Sequence, residues 1–350
     1  MGTPIFSNRK RPFHLGPFPM ERLKRVETAD LSAVPPMQAI DFDHGETPAS
    51  LVNAMGEYQA MLDAIRDGLI NNEVASCPGD PDERARHIKS FGFFQDVPMA
   101  GIARFGNSML LDQPIRNPEI DRLAEELKTK QTKTLAAGID VIMADLRESM
   151  AAPPRTIDGH THAIVFLYDY KRDPTKDEPG YDWIADAQEQ RACLLGSETA
   201  VIIAGYLRVL GFDAKAHTGS SSDVDLNKLA VVAGLATLED GKLVNPFVGD
   251  RFQVVAVTTN FEMAPDKPLA PMAAQPDLGL AWKFGKGSQK NAITLDPYAK
   301  RRYVDGAHPF ETLKRVDKPT TYIDEDRKST RLNPSHLVIS YAVFCLKKKK

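Results

Sequence analysis

The chain has 350 residues, with 44 Lys and Arg against 47 Asp and Glu, and therefore a formal net charge of −3. This acidic balance argues against nucleic acid and anionic membrane surfaces as partners. No apolar run reaches the ~18 residues that a membrane-spanning helix needs. The first residues, MGTPIF, lack the Ser or Thr of a myristoylation signal. The three cysteines, Cys77, Cys193 and Cys345, are too few and too scattered for a disulfide framework or an iron–sulfur cluster, so we predict a protein of the reducing cytoplasm.

An irregular arm followed by a helical region is predicted for the first part of the chain. Residues 1–50 are rich in proline and aromatic side chains and are expected to pack as an arm across the domain. Residues 51–150 open with a helical apolar period over 51–72. The predicted apolar side of that helix consists of Leu51, Met55, Tyr58, Leu62, Ile65 and Leu69. Three further elements are predicted in this region, namely a helix over 81–91, a strand over 98–105 and a long helix beginning at Asn117.

Residues 151–262 are predicted to form an α/β core. The segment THAIVFLY at 161–168 is apolar on both faces, as expected of a strand buried between layers. A helix is predicted from Trp183 toward residue 210, with an interruption near Gly196, and Gly211 suits the left-handed conformation that ends a helix. The remaining elements are predicted as a strand over 212–217, a helix over 225–232 and a strand over 251–259. This alternation predicts an α/β layered sandwich with a central mixed sheet flanked by helices.

The C-terminal part of the chain is predicted to carry no domain of its own. Residues 263–325 are rich in proline and polar side chains and are predicted to be an extended linker. Residues 326–350, DRKSTRLNPSHLVISYAVFCLKKKK, resemble a translated sequencing adapter that runs into a poly-A tract. A genuine basic tail with a short strand is the alternative. Without this segment, which holds seven basic residues and one acidic residue, 37 basic residues stand against 46 acidic ones, a net charge of −9.

Two groups of polar residues are candidates for a functional site. His160 and His162 would lie on one side of a strand and could chelate a metal if a third ligand came from elsewhere; a strand-entry pair without metal is the alternative. His217 closes a predicted strand, at the end where open α/β sheets bind ligands. The small residues of Thr218–Ser222 would let backbone amides approach a phosphate or a corrinoid amide. A plain connection leading to a helix cap at Asp223 is the alternative.

Three stretches of the chain carry a resemblance to a known family. They are RPFHLGPFPMERL at 11–23, AGYLRVLGFDAKAH at 204–217, and LAVVAGLATLEDGKLVNPFVGDRFQVVAVTTNFEMAPDKPL at 229–269. In their order and spacing they resemble the corrinoid-binding domain of soluble, non-respiratory reductive dehalogenases, a domain shared by the epoxyqueuosine reductases. The resemblance implies a nitroreductase-like arrangement of the layers. The later segment YAKRRYVDGAHPFETLKRVDKPTT resembles a linker between the two halves of these dehalogenases.

The resemblance also implies which residues would touch a corrinoid. If a pocket is retained, the cofactor-binding residues would be His217, Ser220, Gly234 and Arg251. The Tyr that the dehalogenases use as proton donor has no counterpart, since the matching region RACLLGSETA contains no Tyr. Ser220 stands where the epoxyqueuosine reductases have an Asp, and Gln253 stands where a basic residue is expected. We therefore predict no catalytic residue and no metal ligand.

The resemblance predicts an N-terminal, cofactor-free copy of the corrinoid domain that is cut before the working copy. The parent would be an oxidoreductase that removes halide from halogenated aromatics such as halophenols, with cobalamin and two 4Fe–4S clusters. This copy would be a non-catalytic scaffold for the missing C-terminal catalytic half, and a ferredoxin or reductase would supply the parent's electrons. Two alternatives stay open: an active corrinoid reductase with a separate ferredoxin, and a stand-alone interaction protein built on a decayed enzyme domain.

Overall fold

The computed structural model describes residues 11–129 and 155–276 of the chain. The helices in these ranges are α1 Leu51–Ala64, α2 Pro81–Phe94, α3 Glu119–Thr129, α4 Tyr181–Ile184, α5 Gln188–Val209 and α6 Leu226–Val232. The strands are β1 Met99–Arg104, β2 Leu110–Ile115, β3 His162–Asp169, β4 Ala214–His217, β5 Ser222–Val224, β6 Thr237–Glu239, β7 Lys242–Val244 and β8 Phe252–Thr259. The segment 326–350 and most of the predicted linker lie outside the described residues.

A four-stranded sheet forms the centre of the described region. Its strand order is β1-β3-β8-β4, and each neighbouring pair is antiparallel. The predicted α/β class, with a central sheet and flanking helices, is confirmed, but the prediction of a mixed sheet is wrong for the described residues. A strand that is apolar on both faces can be parallel or antiparallel as long as helices cover both faces, so its hydropathy does not reveal its direction.

Alternate residues of the strands point to opposite sides of the sheet, and other parts of the chain cover both sides. On one face, Ile164 and Phe166 of β3 pack in a cluster with residues of α2 and α5. On the other face, Val165 and Leu167 pack with residues of α6 and with Phe18 of the N-terminal arm. The burial of successive residues on opposite faces explains why β3 has a continuous apolar sequence.

The central sheet and its cover draw on several of the predicted segments. β1 belongs to the 51–150 region predicted to be helical, and it pairs along its length with β3. Residues that follow β8 return to the N-terminal arm, where the Val26 N–H donates to the Pro268 carbonyl at 2.9 Å and the Ala270 N–H donates to the Lys24 carbonyl at 3.0 Å. Within the described part of the chain, the helical region and the core therefore both supply strands to one sheet, and the arm packs against it.

The helix α5 runs through Gly196 without a break. The predicted interruption is wrong, because this glycine lets the helix approach the sheet closely. A Cβ atom at Gly196 would lie 2.8 Å from a methyl carbon of Val255 and 3.3 Å from the ring of Tyr168. The break falls instead before the helix, at Asp186, whose φ of 59° separates α5 from α4. The helix ends as predicted beside Gly211, which has a left-handed φ of 89°.

Among the described helices, α5 is long and apolar enough in composition to cross a membrane. In the structure, 61% of its most apolar window is buried inside the protein. The buried core helix of a globular domain passes the same test, so this feature is weak evidence for a membrane span.

The helix α1 begins where it was predicted, and its buried face shares Met55 with the predicted apolar side but differs from it elsewhere. Leu51 and Tyr58, two residues of the predicted apolar side, are exposed, and the helix ends at Ala64. The buried positions of the helix are Val52, Met55, Gly56, Gln59, Ala60 and Asp63. Because Gln59 and Asp63 are polar, the spacing of apolar residues does not identify them as part of the buried face.

Candidate functional site

Buried polar side chains gather around the loop Thr218–Ser222, which follows β4 as the sequence predicted. Within this loop the Thr218 N–H donates to the Ser221 carbonyl at 2.9 Å, and the Ser221 N–H donates to Thr218 Oγ1 at 2.9 Å. We call the buried polar residues around the loop the β4 site. Its members are Gln59, Asp63, Asn117, His160, Ser197, His217, Thr218, Ser220, Ser221 and Thr258.

His217 lies in a chain of hydrogen bonds that crosses the sheet. Its Nδ1 accepts from the backbone N–H of Asp223 at 3.3 Å, so the neutral ring carries its proton on Nε2. Nε2 donates to Thr258 Oγ1 at 2.8 Å, which leaves that hydroxyl to donate to His160 Nδ1, also at 2.8 Å. His160 therefore carries its proton on Nε2, which lies 3.5 Å from Asp213 Oδ1. One backbone N–H thus sets the tautomers of two buried histidines.

Burial keeps both of these imidazole rings neutral. Loss of hydration lowers the pKa of His217 well below its usual value, and the nearby Arg66 adds to the effect. Burial is also the main cause of the lowered pKa of His160, and Asp213 opposes it in part. Since the protonated forms are disfavoured, neither ring is suited to act as a general acid near neutral pH.

A cluster of charges lies beside His217. Asp223 Oδ2 is 2.9 Å from Lys215 Nζ and 3.0 Å from Arg66 Nη1. Burial raises the pKa of Asp223, but the two cations outweigh this effect and hold the pKa at about 2. Lys215 Nζ also donates to the Arg155 carbonyl at 2.9 Å. These charges therefore satisfy one another inside the chain.

Asp63 is a buried carboxylate, 2% exposed, that accepts hydrogen bonds from four neutral groups. Its Oδ2 accepts from Ser220 Oγ at 2.6 Å and from Asn117 Nδ2 at 2.9 Å. Its Oδ1 accepts from Thr218 Oγ1 at 2.7 Å and from Gln59 Nε2 at 3.0 Å. Burial raises the pKa of this carboxyl above its usual value, and the four hydrogen bonds offset that rise only in part.

Gln59 connects this carboxylate to α5. Its Nε2 also donates to Ser197 Oγ at 2.9 Å, and that hydroxyl donates to the Cys193 carbonyl at 2.8 Å. Cys193 itself is buried, and burial raises the pKa of its thiol to about 12. The thiol is therefore protonated near neutral pH and is not an activated nucleophile.

The N-terminal arm covers the outer side of the loop. The Ile40 N–H donates to the Gly219 carbonyl at 2.9 Å. A Cβ atom at Gly219 would lie 2.3 Å from Ile40 Cδ1 and 3.0 Å from Gln253 Nε2, so Ile40 fills the space above this glycine. A corrinoid amide or phosphate would need the same space and the same hydroxyl groups. The loop as packed in this fold does not fit the cofactor that the resemblance implies.

The predicted cofactor residues other than His217 and Ser220 lie outside the β4 site. Gly234 has a left-handed φ of 65°, and its carbonyl accepts from Arg25 Nη1 at 3.1 Å. Arg251 is exposed and forms an ion pair with Asp173, with Nη2 2.7 Å from Oδ2. Two of the four predicted residues, His217 and Ser220, therefore lie together, whereas Gly234 and Arg251 each contact a residue outside the site.

The two histidines of the predicted metal alternative are engaged by threonines. His160 Nδ1 bonds to Thr258 Oγ1 and His162 Nδ1 bonds to Thr161 Oγ1, each at 2.8 Å. Within residues 11–129 and 155–276, no group of three or more His, Cys, Asp or Glu side chains is placed to hold a metal ion.

Asp63 belongs to the β4 site, although no sequence motif indicated a role for it. One local signal exists, because Gln59 and Asp63 are four residues apart on the same side of a helix as Val52. The partners of the carboxylate are far away in sequence, with Thr218 155 positions and Ser220 157 positions further on. Local patterns do not encode such contacts, so the site becomes visible only in the folded chain.

In sequence and fold the chain is similar to the reductive dehalogenases, which confirms the resemblance predicted from its residues. The catabolic reductive dehalogenase NpRdhA is 30% identical with a TM-score of 0.61, and the match covers 91% of this chain and 39% of NpRdhA. A reductive dehalogenase structure described in connection with B12-dependent dehalogenation is also 30% identical, with a TM-score of 0.62 and coverage of 90% and 39%. The chain thus spans 39% of the length of these dehalogenases.

Epoxyqueuosine reductases are less similar to the chain. The enzymes from Bacillus subtilis and Streptococcus thermophilus are 12% and 15% identical, with TM-scores of 0.32 and 0.30. These matches cover 55% and 53% of this chain and 49% and 48% of the reductases, a likeness too low to carry a functional conclusion. No protein-family model and no curated protein matches the chain.

Proposed function

We propose that the chain is the N-terminal part of a cobalamin-dependent reductive dehalogenase, and that this part is a non-catalytic scaffold for the catalytic half. The observation that carries the proposal is the extent of the match, which includes 91% of this chain but 39% of NpRdhA. One piece of a larger enzyme is expected to match its relative along almost all of its own length while it corresponds to only part of the relative's length.

The packing of the β4 site supports the non-catalytic role. Ile40 fills the space above Gly219, and the Ser220 hydroxyl donates to Asp63 rather than facing a substrate. Gln253, an uncharged residue, stands where the resemblance leads us to expect a basic side chain. A general acid must both reach its substrate and hold a proton, and these residues are not suited to that task.

The chemistry of the parent enzyme is part of the same proposal. We place cobalamin and two 4Fe–4S clusters in the missing C-terminal half, with electrons supplied by a ferredoxin or a reductase in the cytoplasm. NpRdhA has been described in complex with 3-bromo-4-hydroxybenzoic acid, which contains a brominated phenol ring, and this supports halogenated phenols as the substrate class. The nitroreductase-like arrangement of layers belongs to this proposal as well.

A spectroscopic titration tests the non-catalytic role. We expect hydroxocobalamin added to the purified chain to keep the spectrum of the free cofactor and to separate from the protein on a desalting column, because Ile40 and Asp63 fill the loop after β4. NpRdhA serves as the positive control. A saturable, stoichiometric complex with the chain would contradict the proposal and favour the active corrinoid reductase.

The reading frame beyond residue 325 distinguishes the scaffold from the stand-alone interaction protein. If the chain is part of a dehalogenase, the genomic sequence should continue into a second α/β half and then a cysteine-rich ferredoxin pattern. A stop codon close to residue 325 would instead favour the interaction protein built on a decayed domain.

A further inference from the structure

Asp63 occupies a position that disfavours a carboxylate for two reasons. It is the penultimate residue of α1, beside the negative C-terminal end of the helix dipole. It is also buried, and loss of hydration disfavours the charged form. Within the described residues no cation pairs with it, and the groups that face its two oxygens are four neutral donors.

The geometry of those donors matches a planar, two-oxygen anion, since each carboxylate oxygen receives two of them. The Thr218 hydroxyl oxygen accepts from the Ser221 N–H at 2.9 Å, and the hydroxyl can donate to Asp63 Oδ1 at 2.7 Å, which is nearer than the Ser221 carbonyl at 3.3 Å. We call the four donor residues the carboxylate site. They are Gln59, Asn117, Thr218 and Ser220.

We propose that the carboxylate site is a binding site for a monocarboxylate anion, and that the side chain of Asp63 occupies it as an intramolecular ligand. Because Asp63 is part of the same chain, it loses no translational freedom on binding and excludes free anions from the site. This inference is independent of the activity of the parent enzyme.

Occupation of the carboxylate site joins three segments that are distant in sequence. Gln59 belongs to α1, and Thr218 and Ser220 follow β4. Asn117 precedes α3, where its Oδ1 accepts from the Glu119 N–H at 3.0 Å while its Nδ2 donates to Asp63. Loss of the carboxylate would therefore leave donors from all three segments without their acceptor, and the segments would lose their common partner.

Substitution combined with chemical rescue tests this inference in the full chain. The variant Asp63→Ala removes the carboxylate but keeps Cβ, which leaves a space of the size of formate. In chloride at constant ionic strength, we expect its Tm to be about 10 °C below that of the wild type. Formate should restore about half of this loss or more in a saturable way. Acetate should restore less, because its methyl group would overlap with Cβ.

Two further variants control for size and charge. Asp63→Gly also removes Cβ, so acetate should now restore more of the Tm than formate does. Asp63→Asn fills the same space with a neutral amide whose NH₂ group faces donors, so its Tm should be lower than that of the wild type and neither anion should restore it. Addition of Ser220→Ala to Asp63→Ala removes one donor and should weaken the rescue by formate.

Two results would overturn the inference. One is an effect of formate on Asp63→Ala no larger than its effect on the wild type. The other is a wild-type Tm for Asp63→Asn, since the site would then not require a carboxylate. If Asp63→Ala is recovered unfolded, its refolding yield from denaturant is compared in formate and in chloride. A higher yield in formate supports the carboxylate site, and equal yields contradict it.

Discussion

Thr258 is a buried residue of β8 whose hydroxyl lies between two imidazole rings. It accepts from His217 Nε2 and donates to His160 Nδ1, each at 2.8 Å, so that both of its hydrogen-bonding roles are used inside the core. A buried hydroxyl with two partners contributes mainly by preventing unpaired ring nitrogens, whose desolvation is costly. The hydroxyl group of Thr258 should therefore contribute more to the free energy of unfolding than its methyl group does.

Substitution at Thr258 should separate these two contributions. We expect Thr258→Val, which keeps the shape but removes the hydroxyl, to lower the free energy of unfolding by about 1–3 kcal/mol, because two ring nitrogens lose a partner. Thr258→Ser is the matched control, since it keeps the hydroxyl and loses one methyl group. Urea unfolding of the two variants measures the difference, and a Val variant as stable as the Ser variant would show that the hydroxyl does not connect the rings.

At the scale of the element, α1 shows that a helix can be predicted while its orientation is not. The predicted apolar side and the buried face share Met55, but Leu51 and Tyr58 of the predicted side are exposed while the polar residues Gln59 and Asp63 are buried. Gln59 and Asp63 are buried on this face because their hydrogen-bond partners lie there. Satisfied polar groups thus decide which side of this helix faces the core.

The close approach of α5 to the sheet leads to a prediction for Gly196. Alanine is normally the better helix former by about 1 kcal/mol, but at this position its Cβ would lie 2.8 Å from Val255. We expect Gly196→Ala to lower the free energy of unfolding by about 1–2 kcal/mol, because overpacking exceeds the gain in helix propensity. Gly106→Ala is the matched control, since a Cβ atom there would have no neighbour within 4 Å. Equal stability of the two variants in urea would contradict this account.

At the scale of the whole molecule, the buried histidines connect stability to pH. The pKa values of His160, His162 and His217 are all lowered, with burial as the main cause. The charged and titratable groups that act on His217 and His160 are Arg66, Asp67, Asp213, Lys215 and Asp223. Because the folded chain resists protonation at these rings, the unfolded chain takes up protons first as the pH falls through about 6.5.

The neutral histidines should therefore make the free energy of unfolding decline below about pH 6, by about 1.4 kcal/mol per pH unit for each fully neutral ring. Burial also raises the pKa values of Asp63, Glu189 and Glu198, which gives these carboxyl groups the opposite slope. Asp223, with its pKa of about 2, contributes an acid loss only at lower pH, outside this window. Urea unfolding between pH 5 and 7.5 measures the slope. His217→Gln keeps a donor and an acceptor but cannot be protonated, so it should reduce the slope. A variant with the same slope as the unaltered chain would contradict the assignment.

The elements with a local signal could be predicted from the order of their amino acids. The apolar runs of β3 and β8, the long apolar helix α5 and its end at Gly211 were all predicted, since they follow from side-chain periodicity and from a glycine that tolerates positive φ. The resemblance to reductive dehalogenases was also readable, because it rests on the order of short motifs along the chain.

The direction of the strands, the buried face of α1 and the composition of the β4 site became visible in the folded chain. Each of these depends on contacts between segments that are far apart in sequence, such as the hydrogen bond from Ser220 to Asp63 across 157 positions. A buried carboxylate is stable only when the donors that surround it have been assembled by folding. Asp63 therefore looks like an ordinary surface residue in the sequence and becomes a central hydrogen-bond acceptor in the fold.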